Sequence, residues 1–352
     1  MSEFYNGSKL LSMKDLQGLD PLIRICVGNR TAGKSYYFKR LLVRRYLKKG
    51  EQFIILKRNL QELKGTVQGF FKDIAWEFEG VSLREYTIIK NKIIGIKLQR
   101  GKEDEICGYI ISVKDTEIIK NNSSLFVLVN NLLFDEFQTE DSVYLPNEID
   151  NIANILTSVS RGGGKHIREG VCLFMVSNKV SLINPYFLYF DITKRLKPDT
   201  KFLRGNGWVL EVCFNDAASK AIKESAIGRV FNGSKYLKYS TENLELLDDK
   251  AFIKTNIKDE FSYIATLAYN GKYYKLLYFI NLGIYYVGEN GEKTCKTILS
   301  LHLQDHSDSG TLLITRMPIV KDLMRYFEAG RLYFESLECK NCMLDFFKYR
   351  GA

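Results

Sequence analysis

Near the N-terminus the residues Gly28-Asn29-Arg30-Thr31-Ala32-Gly33-Lys34-Ser35 follow the spacing G-x-x-x-x-G-K-S. Those types at that spacing suit the triphosphate of a nucleotide. The glycines let successive backbone N–H groups face phosphate oxygens. Lys34 would reach the β- and γ-phosphates, and the Ser35 hydroxyl would ligate magnesium. The candidate ATP contacts are therefore Gly28, Asn29, Arg30, Thr31, Ala32, Gly33, Lys34, Ser35 and Tyr36. The alternative is a glycine-rich turn without chemistry, and the flanking elements decide between them. Leu22-Ile23-Arg24-Ile25-Cys26-Val27 is the apolar, β-branched run of a strand in a covered parallel sheet. From Ser35 to Leu47 the apolar Phe38, Leu41, Leu42 and Val43 recur at helical spacing, with a basic outer face. The loop thus opens a helix N-terminus, where unpaired N–H groups and the positive dipole end favour a polyphosphate.

A second candidate group is Asp135-Glu136, which ends the apolar run Leu132-Leu133-Phe134. An Asp at a strand's carboxyl end can hold the magnesium shell, and a Glu one residue on can polarise the attacking water. An acidic pair standing alone at a strand end would be unremarked; coupled to an upstream P-loop it reads as a Walker B strand and catalytic base. Ser177-Asn178 ends another apolar strand, where Asn178 would either sense the γ-phosphate or close an Asx turn. Arg161, Lys165 and Arg168 surround the Gly162-Gly163-Gly164 run. An arginine there could neutralise charge on a transferred phosphoryl group, most readily from a neighbouring subunit, or simply be a solvated cation. Lys57 and Arg58 are open to the same two readings. Cys339 and Cys342 resemble half of a zinc or redox site, but no second pair stands at ligand spacing, so no zinc is expected.

These groups need elements to hold them. Residues 1–20 are polar and close at Asp20-Pro21. The helix after the P-loop ends near Gly50, and 52–58 read as a second strand. Residues 80–120 read as a β-rich excursion turning at Arg100-Gly101-Lys102. The run from Leu125 to Glu136 reads as a strand, 147–160 as a helix, and 170–176 as a buried strand. Strands alternating with helices predict an α/β layered domain. Beyond residue 200 the pattern changes: a strand at 208–212, a helix from Ala217 to Val230, and a hairpin at Asn270-Gly271. A second hairpin is expected at Glu289-Asn290-Gly291, and a helix around 319–327.

With 352 residues, two domains are the default. The formal charge of +10 suits a polyanionic partner without identifying one. The seven cysteines read as free thiols of a cytosolic chain. No apolar run reaches the length of a membrane span, and no signal-peptide core stands at the N-terminus.

Taken in order, GNRTAGKSY, LLFDEF, YLPNEI, SVSR, VSN and NPYF resemble the double-stranded DNA packaging ATPases of φ29-type tailed bacteriophages. The likeness is closest over residues 20–195. It implies an additional-strand, conserved-glutamate (ASCE) P-loop ATPase domain with a central, mostly parallel sheet. It also implies a smaller α+β, RNase H-like vestigial nuclease domain, and a homo-oligomeric, pentameric ring at the portal vertex of an empty capsid. By motif, Lys34 and Ser35 take the P-loop roles and Asp135 the magnesium role. Glu136 becomes the catalytic base and Arg161 a trans-acting finger, with Arg168 in reserve.

Two departures stand out. The loop after Glu136 reads Gln138-Thr139-Glu140-Asp141, where a base for gripping DNA is expected, leaving Lys220, Lys223, Lys235 and Lys238 as weak substitutes. The expected first nuclease strand, Tyr263 to Ala268, carries no acid, so two-metal hydrolysis is not expected.

The expected organisation is an ATPase domain over 1–200, a linker over 201–250 and a C-terminal nuclease-like domain over 251–352. The expected function is ATP- and Mg2+-dependent translocation of double-stranded DNA into a capsid. The resemblance implies partners in the portal, the capsid and, in some relatives, a structural packaging RNA, with no membrane. The setting would be the host cytoplasm, transiently at the portal vertex. The competing readings are a nucleotide-switched scaffold and a small-molecule kinase, the latter disfavoured by the Asp-Glu pair.

Overall fold

The computed structural model describes residues 5–348 apart from 31, 60–62, 64, 91, 140–143, 146, 162–166, 180, 182–183, 198, 233, 235–236, 238–240, 242–251, 256, 301–304, 307–310 and 314–317. The chain divides into two compact units, Met1–Leu247 and Asp248–Ala352.

The first unit is built on nine strands: β1 (Ile23–Gly28), β2 (Gln52–Lys57), β3 (Val81–Ile89), β4 (Ile93–Arg100), β5 (Glu103–Ser112), β6 (Val129–Asp135), β7 (Cys172–Asn178), β8 (Phe202–Arg204) and β9 (Trp208–Cys213). They lie in the order β3-β4-β5-β2-β6-β7-β1-β9-β8. The six strands from β5 to β9 are mutually parallel, while β3, β4 and β8 add antiparallel edges. Strand β7 sits between β1 and β6, so a strand separates the two carrying Gly28 and Asp135.

The centre of the sheet is covered on both faces, which is why its strands read as continuous apolar runs rather than alternating ones. Alternate residues face opposite ways. Ile25, Val27, Leu132, Phe134, Leu173 and Met175 pack with α5 (Glu148–Ser160) through Ile152, Ile155 and Val159. Cys26, Leu133, Phe174 and Val176 pack on the other face with α2 (Lys34–Lys49) through Phe38, Leu42 and Val43. Gly50, at φ 67°, ends α2 in the left-handed conformation that glycine adopts freely.

Three expectations for the first unit need correction. The stretch 201–250 is not a linker throughout: it gives β8 and β9 to the sheet, and β9 pairs directly with β1. Val209 and Leu210 are wholly buried, so this strand is part of the core rather than a connection. Leu125 to Leu128 are not strand, since 123–126 form a 3-10 turn and Leu128 is 60% exposed. The helix expected from Ala217 to Val230 is broken at Ser225 into α8 (Asp216–Glu224) and α9 (Ala226–Val230). The Ser225 hydroxyl accepts from Gly228 N and caps the second piece.

In the second unit, β10 (Phe261–Tyr269), β11 (Lys272–Phe279) and β12 (Ile284–Gly288) form an antiparallel meander. Asn270 and Gly271 both have positive φ, as a two-residue hairpin requires. Parallel strands β13 (Ile298–Ser300) and β14 (Thr311–Leu313) extend the β10 side, and β15 (Leu332–Phe334) extends the β12 side. The turn at Glu289-Asn290-Gly291 makes no hairpin, because the next strand pairs with β10 instead of returning along β12. Helices α10 (Pro318–Glu328) and α11 (Leu337–Lys348) supply Val320, Leu323, Met343 and Phe346 to the core. Cys339 and Cys342 are wholly buried in that core, and burial pushes the Cys339 thiol up to about 12.

Among the described residues no group of three or more His, Cys, Asp and Glu could hold a metal. No helix among them is long and apolar enough to cross a membrane.

Candidate nucleotide site

Parallel strands deliver their ends to one edge, and there the sequence motifs converge. Gly28 lies opposite Asn178 on one side and Cys213 on the other. A Cβ at Gly28 would stand 1.9 Å from the Cys213 carbonyl oxygen, so only glycine lets these strands approach so closely. Gly33, with φ 90°, turns the chain into α2, which begins at Lys34. Thr31 lies outside the described residues. The Ala32 carbonyl accepts from Tyr5 N, which ties the N-terminal segment to the loop.

Lys34 is buried, and its ammonium donates to the Asn29 carbonyl at 2.6 Å and to Asn178 Oδ1 at 3.4 Å. The Ser35 hydroxyl donates to Asp135 Oδ1 at 2.8 Å. Burial raises the Asp135 carboxyl above the usual range, and the Ser35 hydrogen bond partly offsets it. Glu136 follows in the left-handed region at φ 59°, uncommon for a residue with a side chain. It is exposed and lines a cleft of ≈ 400 Å³ with Arg30, Lys57, Asp135 and Asn178. The loop after it is tied to β7: Phe137 N donates to Val176 O, and Gln138 N to the Ser177 hydroxyl.

A hydroxyl and a carboxylate 2.8 Å apart are hard oxygen donors of the kind a magnesium ion takes. Lys34 and the start of α2 give the cationic, N–H-rich surface that a polyphosphate needs. The residues present therefore fit both a nucleotide and its metal. The Tyr36 side chain is engaged elsewhere: its hydroxyl donates to Glu77 and its ring stacks on Trp76, centroids 6.4 Å apart.

The basic candidates separate cleanly. Arg58 is held in a two-pronged pair with Glu148, both contacts 2.9 Å, and donates to the Phe137 carbonyl at 2.8 Å. Glu148 also accepts from the Tyr186 hydroxyl and from Leu145 N. This cluster anchors the start of α5 beside the cleft. The guanidinium of Arg168 donates to Asn130 Oδ1 and to the carbonyls of Phe126, Val129 and Val159 at 2.8–3.1 Å. It staples the far end of α5 to the start of β6, so the reserve finger is a structural arginine. Arg161 caps α5 at that same far end and is exposed. A helix of 13 residues spans about 20 Å, so Arg161 lies at the end of α5 remote from Glu148 and the cleft.

Lys220 and Lys223 are exposed on α8, whereas Lys165, Lys235, Lys238, Glu140, Asp141 and His302 lie outside the described residues. The motifs gave no hint of Asn215 and Ser219, which grip the P-loop. Asn29 Nδ2 donates to the Asn215 carbonyl at 3.2 Å and to Ser219 Oγ at 2.8 Å. The one available signal was Asn215 before Asp216, a helix N-cap pattern.

Known proteins resemble this chain over nearly its whole length. The DNA packaging protein of Bacillus phage phi29 is 28% identical over 354 residues, covering 99% of this chain and 98% of that protein. The DNA packaging protein of Bacillus phage B103 is 26% identical, covering 94% and 97%. Among solved structures, a chain of the bacteriophage Phi-29 viral genome packaging motor assembly aligns with a TM-score of 0.67. It is 27% identical, covering 98% of this chain and 99% of that one. With residues 1–351 matching the family model, the chain belongs to the Podovirus DNA encapsidation protein (Gp16) family.

Proposed function

We propose that the protein is an ATP-hydrolysing motor subunit that drives double-stranded viral DNA into a preformed capsid. The observation that carries this reading is the Ser35–Asp135 hydrogen bond, with Glu136 next in the chain and Lys34 reaching Asn178 across the adjacent strand. ATP bound with magnesium supplies the phosphoanhydride whose hydrolysis drives the cycle. The P-loop N–H groups and Lys34 would hold the β- and γ-phosphates, while Ser35 and Asp135 would hold the metal. Glu136 would take the proton of the attacking water, and Asn178 would orient that water.

Arg161 stands exposed at the end of α5 remote from the cleft. By its motif it would act on the phosphate of the next subunit, in a homo-oligomeric, pentameric ring. The ring would work at the portal vertex in the host cytoplasm, with the portal, the capsid and a structural RNA as partners. The relatives' names, DNA packaging proteins of phages, support the cargo. Grip would be mainly on phosphates, sequence-independent and weakened by salt. In the second unit, the meander extended by parallel strands supports a nuclease-like domain, and the absence of acid from Tyr263 to Ala268 supports a docking role.

The test is DNA-stimulated ATP turnover by Glu136→Gln and Arg161→Ala, each alone and then mixed. Each alone should be nearly inactive, and the mixture should regain turnover as an intact site receives its arginine from a neighbour. Full activity of Arg161→Ala alone would remove the finger. Wild-type protein that binds ATP without multiple turnover would favour a nucleotide-switched scaffold.

A further inference from the structure

Asn29 stands inside the P-loop but faces away from where a phosphate would lie. Only 1% exposed, it uses both polar side-chain atoms on one distant helix turn. Nδ2 donates to Asn215 O and Ser219 Oγ, and Oδ1 accepts from Asn215 N at 3.0 Å. Asn215 in turn caps α8 by accepting from Ala218 N at 3.0 Å. The P-loop is therefore buttoned to the first turn of α8 by a closed set of hydrogen bonds.

The main chain of the same residue meets the phosphate-binding lysine, since the Asn29 carbonyl accepts from Lys34 Nζ at 2.6 Å. Phosphate oxygens carry more charge than a carbonyl and compete for that ammonium. Gly28, next to Asn29 in the chain, is packed against the Cys213 backbone, which limits how far the strand below can follow. The Asn29 side chain gives an adjustment of its peptide a direct path to α8.

We propose that Asn29, Asn215 and Ser219 form a clasp through which phosphate occupancy of the P-loop sets the position of α8. They are positioning residues, acting through Lys34 and the Asn29 peptide. The output is a helix bearing the exposed Lys220 and Lys223 on the stretch leading toward the second unit. The clasp converts binding at the loop into movement of surface cations. Such coupling requires that the two phosphate states differ in their contacts with one element, and the Asn29 carbonyl is that difference. This inference rests on the nucleotide-binding reading.

The experiment is amide hydrogen exchange over residues 216–224 with and without Mg·ATP, in the wild type, Ser219→Ala and Ser219→Thr. Binding of a fluorescent ATP analogue is measured in parallel. The wild type should bind and change its α8 exchange. Both variants should still bind and keep wild-type exchange in β1; Ser219→Ala should lose the ATP-dependent change in α8, while Ser219→Thr, which keeps the hydroxyl, should retain it. A response that survives in Ser219→Ala overturns the clasp. Ser219 is buried, and Ser219→Ala removes its hydroxyl without adding bulk, so it tests the bond rather than the packing. A wild type that binds ATP without any α8 response overturns the clasp alone. A wild type that binds no nucleotide overturns both the clasp and the nucleotide-binding reading.

Discussion

The Ser35 hydroxyl donates a 2.8 Å hydrogen bond to the Asp135 carboxylate across 100 residues of sequence. It joins the first residues of α2 to the tip of β6 and places a half-buried carboxyl where a divalent cation would be held. Burial raises that carboxyl above its ordinary range. A carboxyl raised on folding favours the folded chain while protonated; the contribution is present below the ordinary aspartate value and lost as pH rises through the raised one. Asp135→Asn should therefore raise the thermal midpoint in the absence of magnesium, more at pH 8 than at pH 5, while abolishing turnover. Melting curves at the two pH values, with an ATPase assay, check both halves.

Glu148 accepts from Arg58 at two points and from Tyr186 and Leu145, and it is 2% exposed. Removing one partner of such a pair leaves a buried charge without compensation. Glu148→Ala should cost about 3–5 kcal/mol of stability by denaturant titration. Replacing both residues with apolar ones should cost much less than the sum of the single changes.

Arg168→Lys tests the arginine at the other end of α5. One ammonium cannot reproduce the fork that serves Asn130 and three carbonyls. The variant should lose about 2 kcal/mol or more of stability. At a temperature where it is folded, its turnover should stay near wild type. A catalytic defect without a stability defect would return Arg168 to the site.

Glu136 sits at φ 59°, a conformation that costs a side-chain-bearing residue about 1–2 kcal/mol. Glycine adopts it freely but loses more chain entropy on folding, about 0.5–1 kcal/mol. Glu136→Gly should thus be neutral to stabilising by up to about 1 kcal/mol in a thermal melt, while turnover is lost. A destabilised Glu136→Gly would show that the left-handed backbone carries no strain.

Much of this was legible in sequence because it is local. The P-loop, the acidic strand end, the β-excursion over 80–120 and the Asn270-Gly271 hairpin each carry their signal within a few residues. What escaped depends on partners far away. Arg58 and Arg168 look like any basic residue until Glu148 and a ring of carbonyls close round them. Asn29 fills a variable motif position, and its partners follow 186 and 190 residues later. Strand β9 was legible as a strand at 208–212, but nothing local shows that it pairs with β1, so it fell in an expected linker. Asn290-Gly291 misled in the opposite sense: the dipeptide favours a turn, but only a waiting partner strand makes a turn into a hairpin.

The order in which the chain is made bears on when the site can exist. Lys34 waits 144 residues for Asn178, and Asn29 waits 190 for Ser219. During synthesis β1 emerges before either of its sheet neighbours, β7 and β9. Until they follow, the glycine-rich loop hangs from a strand with two unpaired edges, the kind of exposed template that recruits wrong partners. No nascent chain shorter than the end of α8 can hold the loop in its finished shape. The long-range pairing also predicts slow folding, so premature release from the ribosome carries a high risk of aggregation.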